Sequence, residues 1–167
     1  GPSSVRLTYQ IDEGKKARIR DITFVGNDEL GKRRLKKLMD TNEAFWFFGG
    51  RYSEEKFEQD LVTILDEYAN HGRLEAEVPK TDLVYTKNGK GMEITVYLDE
   101  GPQYTVEALD VAGNAVYDED EVLNIIEVHE GDVHNRGQVA EAAELVLKGY
   151  QDSGYIDAEV VPQVTLD

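Results

Sequence analysis

Hydrophobic residues alternate most plainly at 92–98, MEITVYL, where Met92, Ile94, Val96 and Leu98 predict a strand with one buried face. KNGKG at 87–91 predicts a turn just ahead of it, so a partner strand precedes, opening at EAEV (75–78). Upstream the period changes. Phe57, Leu61, Ile64, Leu65 and Tyr68 stand at i, i+4, i+7, i+8 and i+11, the spacing of one helical face. Ser53 is an N-cap type, and Gly72 sits where a left-handed residue closes a helix. A shorter helix carries Leu35, Leu38 and Met39 inward, and Ile19, Ile22 and Phe24 belong to a strand before it. The core expected of this unit is Ile22, Phe24, Leu38, Leu61, Leu65, Tyr68, Ile94 and Val96.

The pattern recurs. IDEGKKARIRDITFVGN (11–27) lies on LDEGPQYTVEALDVAGN (98–114) without a gap at an offset of 87. Ile19, Ile22 and Phe24 then match Val106, Leu109 and Val111, and Leu35, Leu38 and Met39 match Val122, Ile125 and Ile126. Asp118 with Glu121 gives the second short helix a capping box. The longer helices align at an offset of 82: Ser53 on Asn135, Phe57 on Val139, Tyr68 on Tyr150, Gly72 on Gly154. DAEV (157–160) opens the following strand, as EAEV does in the first copy. The unit reads strand, helix, helix, strand, strand, closed by an acidic turn. The change of offset places five extra residues between the helices of the first copy, and Phe45, Trp46, Phe47 and Phe48 lie in that loop.

Composition narrows the function classes. The net charge of −16 argues against nucleic acid and against an anionic membrane surface. Residues 102–167 hold only Arg136 and Lys148 against 15 acids, while nine of the 18 basic residues lie between Lys15 and Lys37. That basic helix either orients a partner or is simply a solvated face. No apolar run approaches the roughly 18 residues of a membrane helix. The chain lacks cysteine, which removes disulfides and thiol chemistry. His71, His129 and His134 have no metal-site spacing, and no nucleophile, base and orienting partner occur together. No catalytic residue, metal or cofactor is expected.

The ordered repeat, with DEG, GN and a tyrosine-xxx-glycine helix end, resembles the POTRA (polypeptide-transport-associated) module over residues 5–167, and especially the modules of BamA-like outer-membrane β-barrel assembly proteins. The resemblance implies an α+β fold of two tandem modules, each a three-stranded sheet covered on one face by two helices. It implies a periplasmic, non-enzymatic scaffold that receives unfolded outer-membrane proteins, docks accessory lipoproteins or chaperones, and meets neighbouring POTRA modules ahead of a membrane barrel. A secretion or translocation transporter of the same superfamily is the alternative. In the family the strand after the second helix, here about Ala76–Thr86, is an exposed edge to which an extended client can add backbone to backbone. Pro79 cannot donate a ladder bond, which leaves Asp82, Leu83, Val84, Tyr85 and Thr86 as the expected peptide-binding edge.

Other conspicuous residues have plainer readings. Asp12, Glu13 and Gly14, like Asp99, Glu100 and Gly101, are expected to form module-junction turns rather than an acid–base pair. Phe45, Trp46, Phe47 and Phe48 either pack locally or contact a partner or neighbouring module. The expected boundaries are a cloning remnant (1–4), the last strand and linker turn of a preceding module (5–14), one module (15–101), and a second lacking its final strand (102–167). VRLTYQI (5–11) falls on MEITVYL at the repeat offset, so head-to-tail self-association through that strand is also expected.

Overall fold

The structure, a computed structural model, describes residues 5–11, 17–44 and 49–166. The elements run β1 (Arg18–Val25), α1 (Lys32–Leu38), α2 (Glu54–Asn70), β2 (Glu77–Tyr85), β3 (Gly91–Asp99), α3 (Glu119–Ile125) and α4 (Arg136–Asp152). The strands form one sheet of order β1-β3-β2, with β3 parallel to β1 and antiparallel to β2. A connection through two helices separates β1 from its parallel neighbour, whereas the 87–90 turn suffices for the antiparallel pair.

Alternation along β3 sends Met92, Ile94, Val96 and Leu98 to the helix side, where all four are buried. They meet Ile19, Ile22 and Phe24 of β1, Leu35 and Met39 around α1, and Phe57, Ile64 and Tyr68 of α2. Three residues expected in this core are only half-buried: Leu38, Leu61 and Leu65. The face that α2 turns to the sheet is centred on Phe57, Asp60, Ile64 and Tyr68. Leu61 and Leu65 each follow a central residue, about 100° round the helix, and so sit on its flank.

Asp60 occupies its buried position because two backbone donors need it. Its carboxylate accepts from the N–H of Asp40 at 2.7 Å and of Thr41 at 2.9 Å, tying the chain leaving α1 to the middle of α2. The aromatic residues 45–48 and the first acidic turn, 12–14, lie outside the described residues.

The second region repeats the Gly-Asn turn of the first, and its helices carry side-chain caps that α1 and α2 lack. Gly26 and Gly113 both take positive φ (85° and 81°). Asn27 donates its side-chain amide to the Leu30 carbonyl, and Asn114 donates to that of Tyr117 at the matching position. Asp118 and Glu121 form the reciprocal capping box on α3, and Asn135 accepts from the Gln138 N–H on α4; Ser53 makes no such bond on α2. The sheet does not repeat. Residues 107–112 and 159–166 carry no ladder, and Thr105 makes a single bridge to Val133. In the first region every inter-strand bond passes through β3, the central strand of the order β1-β3-β2.

Candidate functional site

A three-stranded sheet has two edges, and here they differ. On β1, the Ile19 N–H donates to the Gly50 carbonyl (2.8 Å) and the Ala44 N–H to the Ile19 carbonyl (2.9 Å). The Ile22 N–H is held by the Glu43 carboxylate at 3.0 Å. The inter-helix loop thus covers that edge. The second region does the same with its shorter loop: Val106 exchanges backbone bonds with Gly131 and Asp132.

The outer edge of β2 is different. The Thr86 N–H donates to the Gly91 carbonyl, so the bonded pairs of the antiparallel ladder fall at Val84–Glu93, Asp82–Thr95 and Lys80–Tyr97. The backbone groups of Thr81 and Leu83 therefore face away from β3, and among the described residues neither makes a hydrogen bond on that side. Pro79 falls within the register shift between Glu77 and Lys80, so the regular edge begins at Lys80. Leu83, Val84 and Tyr85 are exposed apolar side chains along it. On the open face of the sheet the Lys80 ammonium lies 2.9 Å from Asp82 and 5.2 Å from the centre of the Tyr97 ring. The hydrogen bond to Lys80 lowers the Asp82 carboxyl and raises the ammonium in turn.

The five residues expected to bind a peptide are thus brought together, in unequal roles. Leu83 offers outward backbone. Asp82 and Val84 have their backbone committed to β3 and offer side chains. Tyr85 ends the strand, and Thr86 lies beyond it, closing the turn with its N–H and its hydroxyl. Thr81, which the sequence reading passed over, has the same outward backbone as Leu83. Only the ladder register distinguishes it.

The turn at Asp99, Glu100 and Gly101 joins the regions. Asp99 accepts from the Gly101 N–H, Glu100 accepts from the Glu29 N–H and the buried Tyr68 hydroxyl, and Arg73 donates to the Gly101 carbonyl. Burial, and then Glu100, push the Tyr68 hydroxyl far above its ordinary value. Past the turn, the Tyr104 N–H donates to Gly72 and the His134 N–H to Tyr104, while Asn70 accepts from the Gly137 N–H and Arg136 pairs with Asp66 at 2.9 Å.

His134 is buried at this junction, with neither ring nitrogen hydrogen-bonded among the described residues. Burial first, and Arg136 second, lower it from 6.5. The folded junction therefore takes up a proton at this ring only at a lower pH than the unfolded chain does. Its contribution is therefore intact above the unfolded value and is lost as pH falls below it. Acidifying from about pH 7.5 to about pH 5.5 should lower the melting temperature of the wild type relative to His134→Gln. Parallel pH profiles of the two would contradict this. Among the described residues no three His, Asp or Glu side chains converge as a metal site, and no helix is long and apolar enough to cross a membrane.

The comparisons agree with this architecture. The POTRA family model, described as a surface antigen variable number repeat, matches residues 17–101 and 104–167. The outer membrane protein assembly factor BamA of Neisseria meningitidis is 25% identical over 164 residues, which cover 95% of this chain and 21% of that protein. BamA of Nitratidesulfovibrio vulgaris is 24% identical over 96% of this chain and 21% of that protein. The chain thus spans about a fifth of the length of these curated relatives. The crystal structure of Haemophilus influenzae BamA POTRA3-5 superposes with a TM-score of 0.66 at 25% identity, covering 90% of this chain and 61% of that one. With two consecutive matches spanning most of its length, over a sheet and helices of this order, the chain belongs to the POTRA family and carries two of its regions.

Proposed function

We propose that this chain is a non-enzymatic, periplasmic scaffold in outer-membrane protein assembly, and that its β2 edge receives an extended segment of an unfolded barrel protein as an added strand. The observation that carries the reading is the asymmetry of the sheet. β1 is covered at Ile19 and Ile22, whereas Thr81 and Leu83 present backbone groups on an apolar edge. Backbone pairing tolerates varied client sequences, as a machine serving many barrels requires. The kinship with assembly factors from Neisseria and Nitratidesulfovibrio supports the same role. Accessory subunits and neighbouring modules would dock elsewhere on the same scaffold.

The register selects the test. Proline at Val84 would remove a donor from the β2–β3 ladder and damage the sheet itself. Proline at Leu83 removes an outward donor instead. A peptide of about ten residues with the alternating pattern of a barrel strand is a suitable client. Leu83→Pro should weaken its binding about tenfold or more, with little dependence on salt. Equal affinity for the wild type and a folded Leu83→Pro variant would remove the edge from the account.

A further inference from the structure

We propose that His134 makes the junction between the two regions an acid-opened hinge. Protonation of its ring releases the start of α4 from the end of α2, while each region stays folded.

The connection between the regions is narrow. The chain crosses once, at residues 100–103. Arg73 holds the Gly101 carbonyl at 2.7 Å within the first region, which leaves Pro102 and Gln103 as the pivot. Beyond the pivot a short set of bonds grips the end of α2. The Tyr104 N–H donates to the Gly72 carbonyl, the Gln103 amide to that of His71 at 3.1 Å, and the Gly137 N–H to the Asn70 side chain. Arg136 adds its pair with Asp66, but those side chains are 61% and 55% exposed, so water screens the attraction. None of these residues belongs to the hydrophobic cluster of the first region, so parting them leaves that cluster intact.

His134 sits in the middle of this contact, 8% exposed, with neither ring nitrogen hydrogen-bonded among the described residues. Its backbone N–H donates to Tyr104, the residue that also bonds Gly72, so one strut carries both the ring and the grip on α2. The groups around the ring decide the sign of its response. From α4, Arg136 opposes a second positive charge. From α2, the Ala69 backbone favours one without completing a hydrogen bond, and Asp66 is already engaged by Arg136. Leu74, Val139, Pro162 and Val164, which line the groove beside the ring, offer no counter-charge.

Protonation therefore puts an unpaired cation near Arg136 in a buried contact. Opening supplies water to the ring. The open junction binds the proton more readily than the closed one, so acid shifts the balance toward open. The closed form is held in full above the ordinary range of the ring and is lost as pH falls through it. Because β2 belongs to the first region, opening re-aims its edge relative to the second.

The chain has no cysteine of its own, so Lys56→Cys on α2 and Lys148→Cys on α4, both at exposed positions, accept a clean pair of spin labels. The distance between them should lengthen by more than about 5 Å between about pH 7.5 and about pH 5, with unchanged helix content by circular dichroism. Nuclear magnetic resonance titration of the His134 imidazole should share its midpoint with that change. His134→Leu should keep the short distance at both pH values, and His134→Gln, measured in the same way, carries the same expectation if the leucine variant does not fold. A wild-type distance that does not change with pH would overturn the proposal. So would lengthening that persists in the His134 variants, or lengthening accompanied by loss of helix.

Discussion

Gly26→Ala should cost about 3–4 kcal/mol and lower the melting temperature of the first region by more than about 10 °C. Two effects combine. The backbone at Gly26 has φ 85°, where an L side chain costs about 1 kcal/mol. The added Cβ would also stand 2.2 Å from the Leu98 carbonyl oxygen, so β1 and β3 must separate where the core closes. Gly113→Ala meets the same dihedral strain at φ 81° but no neighbour, and should cost only about 1 kcal/mol. Urea titration of both variants measures the difference. Equal losses would mean that contact with the central strand is not what fixes the glycine of the first GN turn.

Asp60→Ala should cost about 2–4 kcal/mol, since it strips the acceptor from two N–H groups beneath the inter-helix loop. Asp60→Asn retains one acceptor oxygen and should recover part of that loss. The loop also supplies the bonds that cover β1, so loosening it should speed amide exchange at Ile19 and Ile22. A fully stable Asp60→Ala variant would show that the loop is held by something other than this carboxylate.

The repeat made the fold readable. Period-two alternation marked β3, the helical period marked α2, and the repeat carried the two helix assignments into the second half as α3 and α4. What it misplaced were features set by contacts distant in sequence. Leu61 and Leu65 satisfy the helical stripe as well as Ile64 does, and only the docking angle of α2 on the sheet decides which is central. Asp60 is polar within an apolar face, so a periodicity argument passes over it. Its counterpart at offset 82 is the buried Ala142, and that mismatch falls in the copy with the longer loop, a signal that could have marked it.

The candidate edge was legible as a strand and, through the family resemblance, as an exposed one. Which backbone groups point outward was not, because that depends on ladder register. Thr86 fixes the register by bonding Gly91, which turns Thr81 and Leu83 outward and Asp82 and Val84 inward.

Residue-resolved amide exchange, with and without a barrel-strand peptide, tests the docking edge most directly. The N–H groups of Thr81 and Leu83 should exchange fast in the free chain and gain protection when the peptide is bound, while Ile19 and Ile22 stay as they were. Peptide binding that leaves Thr81 and Leu83 unprotected, or that protects β1 instead, would contradict the assignment of β2 as the receiving strand.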